Sequence, residues 1–291
     1  MLELSFEDRI AYLASHYERD EKITMRPRAA CAQCEFYCKD SDVGMKDGKK
    51  ECWTEQLGWG EQDFTDDTIL DLWACRKDLF FDRGIIKLKD FSEGDINPRT
   101  DDKPGISRSQ RQWLQVSKSI EGDDSVWLDR DGLRQEMESW RYPLHFIDFE
   151  TTMVAIPFNK GRHPYEGIAF QFSHHCVHED GRVEHANEYL NTTRGVFPNY
   201  DFIRNLKEAL CYDEGSIFRF SHHENTFLNH IYRQLMDDPD PIPDREELCD
   251  FIRSISKSKK GNAETWEGPR NTIDMCELVK RFYYAPSTKG S

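Results

Sequence analysis

No stretch of the 291 residues approaches the roughly 18 consecutive apolar residues that a membrane helix needs, so neither a membrane-spanning helix nor a membrane partner is expected. The opening Met1-Leu-Glu-Leu-Ser-Phe-Glu-Asp8 lacks the basic start and apolar centre of a secretory signal, which points to a cytoplasmic protein. Positive charge is in short supply. Lys and Arg number 39 against 54 Asp and Glu, and 39 − 54 leaves −15. Net charge therefore cannot carry nucleic-acid binding, and any phosphate contact needs Lys and Arg gathered locally. Internal repeats are missing too. Apolar residues make up only 37%, yet 18 Phe and seven Trp suffice for compact cores and argue against general disorder. At about 150 residues per domain the length predicts two domains.

What is abundant is cysteine, nine in all, and its distribution matters more than its number. Cys31, Cys34, Cys38 and Cys52 crowd together, whereas Cys75, Cys176, Cys211, Cys249 and Cys276 are scattered and read as packing residues. In a chain without an export signal, a tight cluster reads as a metal or iron–sulfur site before a disulfide framework. Four thiolates at this spacing can hold Zn²⁺ or an iron–sulfur cluster; reduced cysteines left from a lost cluster are the alternative.

Periodicity divides the chain near residue 125. Residues 1–125 read as a helical region with the Cys cluster. It holds a short amphipathic helix over Leu4–Arg19 that packs on something, a helix over Ile69–Phe81, and another over Arg108–Ile120. Helix, Gly84-Ile85 turn and helix suggest an element that grips a backbone phosphate, or a plain helical hairpin. Leu128–Trp140 reads as one more helix. Strands follow over Leu144–Glu150, Ile168–Val177 and Glu184–Tyr189, with Asp180-Gly181 as a hairpin turn between the last two. Helices over Phe202–Leu210, Glu224–Met236, Glu246–Ile255 and Ile273–Tyr284 then enclose a fourth strand at Ser216–Ser221. Residues 126–291 thus predict a mixed α/β sheet flanked by helices.

Asp148-Phe-Glu150 is the most informative triplet. Residues two apart on a strand point the same way, so both carboxylates leave one face of a buried strand. Two such acids repel each other unless a cation sits between them, and Mg²⁺ or Mn²⁺ prefers oxygen ligands. A solvated strand end is the plain alternative. Ser221-His-His-Glu-Asn225 follows the fourth strand and opens the next helix, where α/β sheets place ligands. Glu224 is therefore the second metal-facing carboxylate, with His222 or His223 orienting it or the attacking water; a helix N-terminal acid favoured by the macrodipole is the alternative. His174, His175 and His185 fall on strands, where one could face the acids as a proton-transfer group, but a hydrogen-bonded sheet histidine is the better reading for each. Tyr165, Phe170 and Phe172 offer stacking faces for a base, with core packing favoured for at least two of them. Lys160, Arg162, Arg204, Arg219 and Lys289 supply local positive charge.

The segments Leu144-His-Phe-Ile-Asp-Phe-Glu-Thr-Thr152, Ala155-Ile-Pro157, His163-Pro-Tyr165, Phe170-Gln-Phe-Ser-His-His175 and Phe220-Ser-His-His-Glu-Asn225, with Asp274, Tyr283-Tyr284, Pro286 and Lys289-Gly-Ser291, together resemble the bacterial proteins grouped as domain of unknown function 2779. The resemblance covers about residues 142–291. It implies a ribonuclease H-like fold of the DnaQ-like exonuclease type, with acidic residues around two metal ions. Asp148 and Glu150 would be the first acidic motif and Glu224 the second, where most relatives carry Asp. The last metal-binding Asp of the wider fold has no counterpart before Ser291, so the resemblance implies a C-terminally truncated form of weak or no activity, and gives Asp274 a structural place at a helix start. Cys31-Ala-Gln-Cys-Glu-Phe36 resembles the end of RecB-like nuclease domains. That implies Cys31, Cys34 and Cys52 as ligands, a fourth ligand before residue 1 or Cys38 in its stead, and a RecB-like nuclease domain or subunit as partner.

The expectation is thus a metal-dependent 3′–5′ exonuclease, a hydrolase acting on single-stranded ends of nucleic acid, DNA favoured. Asp148, Glu150, Glu224 and His223 would form its site. The rival from another class is a non-catalytic nucleic-acid-binding or assembly module.

Overall fold

The computed structural model describes residues 5–39, 41–258 and 264–288, which gather into two compact units. One contains the described chain up to Asp102 with Ile106–Trp127 and the segment from Tyr284 on; the other contains Lys103–Gly105 and Leu128–Tyr283.

The first unit holds helices α1 (Phe6–Glu18), α2 (Gly48–Leu57), α3 (Lys77–Asp82), α4 (Glu93–Ile96) and α5 (Arg108–Glu121). Its core gathers Ile69, Leu72, Leu88, Phe91 and Val116. Helix α1 starts at a Ser5 cap, but none of its residues is buried, so the predicted packing face stays exposed. The predicted helix over Ile69–Phe81 shrinks to α3, because residues 69–74 form turns. The reason lies in α5. Gln115 accepts from the Trp73 N–H at 3.0 Å and donates to the Asp71 carbonyl at 2.8 Å. Gln112 donates to the carbonyls of Trp73 and Ala74, at 3.0 and 3.1 Å, and Lys77 Nζ donates to those of Ile69, Leu70 and Leu72. Backbone groups satisfied by side chains have no need of a helical ladder. The suggested phosphate grip also fails. The Gly84 and Ile85 N–H groups are spent on the Phe81 and Phe80 carbonyls, both at 3.0 Å, and Lys87 bridges Thr68, while the second helix expected at Arg108–Ile120 stands as α5.

The second unit begins with α6 (Arg130–Met137), shorter than the predicted helix. A five-stranded mixed sheet follows, formed by β1 (Leu144–Met153), β2 (Gly167–Val177), β3 (Val183–Leu190), β4 (Ile217–Arg219) and β5 (Ile273–Asp274) in the order β3-β2-β1-β4-β5. Strands β1 to β3 are antiparallel neighbours, while β4 runs parallel to β1 and β5 parallel to β4. On β1 the alternation is clean. Ile147 and Phe149 face the helical side and are buried, whereas Asp148 and Glu150 face the other way and are exposed. Helices α7 (Asn199–Leu210), α8 (His223–Asp237) and α9 (Arg245–Ile255) cover the apolar face with Phe202, Ile203, Leu206, Phe227, Leu228, Ile231, Leu248 and Ile252. Asn199 pins the start of α7 to β2, accepting from the Ala169 N–H and donating to the Gly167 carbonyl. The last predicted helix gives up its first two residues to β5, and α10 spans Met275–Phe282. A two-residue strand shows no period, so sequence alone had no signal for it.

Candidate functional site

The parallel strands β1 and β4 end on the same side of the sheet, and the predicted acids lie on the elements at that end. Beyond β4 the chain turns sharply through Ser221, whose φ is +70°, and enters α8 at His223. Glu224, in the first turn of α8, is only 2% exposed. Its Oε2 has no hydrogen-bond partner. Burial pushes its carboxyl up to about 7; the charges of Asp148 and Asp274 add to that, opposed by a backbone N–H and by Arg219. Glu224 and Asp148 therefore share one electrostatic environment, with Glu150 one pleat further along the same exposed face of β1.

His223 is fixed against this strand end. Its Nε2 lies 3.0 Å from Thr151 Oγ1, and its ring packs on Phe227. His222 turns instead to the Ser221 hydroxyl. Asp274 caps α10, accepting from the Cys276 and Glu277 N–H groups, and also accepts from the Ser221 N–H at 2.9 Å. Its other oxygen takes the buried Arg219 guanidinium at 2.8 Å. Asp274 thus holds the loop that delivers Glu224, which fits the structural place expected for it.

The other predicted groups fare unevenly. Arg162, Arg204 and Arg219 do not form a free positive patch, because each is held by carboxylates: Asp238 and Glu166, Asp244 and Asp201, and Asp274 respectively. Lys160 is exposed, and Lys289 lies outside the described residues. Phe172 is core, Phe170 half-buried and Tyr165 exposed. In the first unit, Cys31 and Cys34 lie near enough to Cys52 to help raise its thiol, after burial, the larger cause. Cys38 faces the Lys46 carbonyl at 3.3 Å and is raised by burial and by Asp47 and Asp42. Cys75 sits in the irregular stretch before α3, beside the first core, rather than on a helix, and Cys211 is exposed rather than packed.

Sequence reasoning missed one cluster. Cys176 is buried, as a packing residue is expected to be, and its Sγ also lies 3.3 Å from His145 Nδ1 and 3.2 Å from His174 Nε2, with those nitrogens 2.9 Å apart. Among the described residues, this is the one set of three or more His, Cys, Asp or Glu side chains whose ligand atoms all lie within 4.8 Å of one another, so the acids of β1 and α8 are not drawn together to that degree. The available signal was the alternation in His174-His-Cys176, which sets two ligand-type side chains on one strand face. Its partner His145, 29 residues earlier, becomes adjacent only through the strand register, which sets Cys176 opposite His145. His174 and His175 both keep to the sheet, as expected. His175 packs against His185, whereas burial depresses His174 to about 4.

Searches among curated proteins and among solved structures find no match. A family model does match residues 145–291, half the chain, and they contain both the acids and the His–Cys cluster; the chain belongs to the family described as domain of unknown function (DUF2779).

Proposed function

We propose that the end of β1 and the start of α8 form the hydrolytic site of a metal-dependent 3′–5′ exonuclease with a ribonuclease H-like, DnaQ-like architecture. Its substrate is the single-stranded end of a nucleic acid, DNA in preference to RNA, and a RecB-like nuclease domain or subunit is the associated partner. The observation that carries this reading is Glu224, a buried carboxyl with an unpartnered oxygen beside the exposed Asp148. Leaving such an oxygen unpaired costs stability, about 1–3 kcal/mol, and is retained where a ligand satisfies it. Hard carboxylate oxygens suit Mg²⁺ or Mn²⁺, with Asp148, Glu150 and Glu224 as the holding residues. When bound, such ions supply an activated water and offset the charge of the reacting phosphodiester. Within the chain, Thr151 orients His223 for proton transfer, while Arg219 and Asp274 position the loop carrying Glu224.

The second reading is a non-catalytic nucleic-acid-binding or assembly module. It draws support from Asp274, already committed to Arg219 and to helix N–H groups, and from arginines committed to acids. End-labelled single-stranded DNA and RNA incubated with Mn²⁺ separate the two. Progressive shortening by the parent chain and at least a hundredfold slower shortening by Asp148→Ala is the outcome expected of a hydrolytic site. Equal cutting by both proteins would remove the site assignment. Tight binding without cutting would hand the chain to the second reading.

A further inference from the structure

The sheet carries a second cluster of ligand-type side chains, on the opposite face from Asp148 and Glu150 and toward the other end of β1. His145 and Cys176 are directly paired across the β1–β2 ladder, and His174 is the next residue along the same face of β2. Cross-strand neighbours of this kind bring side-chain tips together without any loop. His145, His174 and Cys176 are 2%, 1% and 5% exposed. Their inward atoms are Nδ1, Nε2 and Sγ, with separations of 2.9, 3.2 and 3.3 Å.

We propose that His145, His174 and Cys176 form a transition-metal site suited to Zn²⁺, separate from the acidic site. Three features support it. Zn²⁺ binds imidazole nitrogen at about 2.0–2.1 Å and thiolate sulfur at about 2.3 Å, so atoms on one ion stand roughly 3–4 Å apart, close to the separations seen here. Two nitrogens and one sulfur form a borderline-soft donor set that favours Zn²⁺ over Mg²⁺ or Ca²⁺. The outer partner is also in place. Asp213 Oδ1 lies 2.8 Å from His145 Nε2, so the carboxylate keeps the proton on that nitrogen and turns the lone pair of Nδ1 toward the cluster.

Charge also balances. Binding releases the Cys176 proton to solvent, and the thiolate with the Asp213 carboxylate supplies two negative charges against the two of the ion. Arg270 approaches Asp213 from outside at 3.6 Å and spends its hydrogen bonds on the Leu210 and Gly215 carbonyls. The protein supplies three ligands, leaving the fourth tetrahedral position to water. Asp213 is a third exposed, so the outer side of the cluster reaches solvent at this carboxylate. The ion would clasp the start of β1 to the end of β2 and, through Asp213, to the turn after α7.

Co²⁺ serves as the spectroscopic probe. The full chain carries Cys31→Ser, Cys34→Ser, Cys38→Ser and Cys52→Ser so that no thiolate of the first unit contributes. One equivalent of Co²⁺ is expected to give the near-ultraviolet thiolate charge-transfer band and strong visible bands of a tetrahedral site. Adding Cys176→Ser abolishes the charge-transfer band, and Asp213→Asn weakens Co²⁺ affinity about 10–100-fold. Adding Asp148→Ala changes neither, which separates this site from the proposed nuclease centre. Circular dichroism checks that each variant is folded. Zn²⁺ should also raise the melting temperature of the quadruple-serine protein, and this rise should vanish in its His174→Ala derivative. A charge-transfer band that survives Cys176→Ser, or a quadruple-serine protein that gives no band and melts identically with Zn²⁺ and with chelator, would overturn the proposal and leave a metal-free hydrogen-bonded trio.

Discussion

Glu224 shows how a single side chain can be costly to the fold and still be retained. It has an unpartnered oxygen, it is 2% exposed, and it lies within the electrostatic reach of Asp148. Replacing it with glutamine removes the buried ionisable group and its repulsion with Asp148 while keeping the side chain's shape. Glu224→Gln is therefore expected to stabilise the chain by about 1–2 kcal/mol in urea unfolding while abolishing Mn²⁺ binding at the acids, the trade-off of a functional residue. A destabilised variant would instead mean that Glu224 belongs to the packing of α8. The places of Asp148 and Glu150 on one strand face and of Glu224 at a helix start were legible in the sequence because strand alternation and a strand-to-helix junction are local patterns. Asp274 could be placed at a helix start, but its bond to Arg219 spans 55 residues and no local pattern announces it. His145 escaped notice for the same reason, since register, not spacing, brings it to Cys176.

At the scale of elements, long periodic segments were easily recognised and short ones were not. The helices at α7, α8 and α9 and the first three strands stand close to where periodicity puts them, with ends moved by a few residues. The segment at residues 69–74 went the other way, because distant glutamines satisfy its backbone. That account predicts a measurable cost. Gln115→Ala leaves the Trp73 N–H and the Asp71 carbonyl without their partner and should destabilise the first unit by about 1–3 kcal/mol, read as a lower urea midpoint. By contrast, polar substitutions at Phe6 or Leu13 on α1 should change stability by less than about 0.5 kcal/mol, because both side chains are exposed and none of the helix's residues is buried.

For the molecule as a whole, many of the arginines and lysines are paired with carboxylates, and the excess of acid remains beyond those pairs. Asp238 is the deepest such case, with Tyr200 at 2.6 Å and Arg162 at 2.9 Å. Burial opposes its ionisation, but bonds from Tyr200, from the Asp240 N–H and from Arg162 outweigh that and hold its carboxyl below the usual range. A carboxyl depressed in the folded state contributes stability above its unfolded value, near 3.9, and loses it as pH falls through the folded value. Asp238→Asn should therefore be less stable than the parent by about 1–3 kcal/mol at neutral pH, with the gap closing below about pH 4 in parallel urea titrations. A constant gap across that range would place its role in packing instead of charge.

The sheet order bears on how the protein is made. β1 pairs with β2 about 20 residues away, but with β4 only across some 70 residues, and β5 comes later still. Contacts close in sequence form before distant ones. As the chain leaves the ribosome, Asp148 and Glu150 can therefore stand on a finished antiparallel hairpin while Glu224 is still being synthesised, and the loop bearing it gains its anchor only once Asp274 has emerged. The His–Cys cluster lies wholly within that early hairpin. A nascent chain would carry the makings of a complete His–Cys site before it carried a complete acidic one.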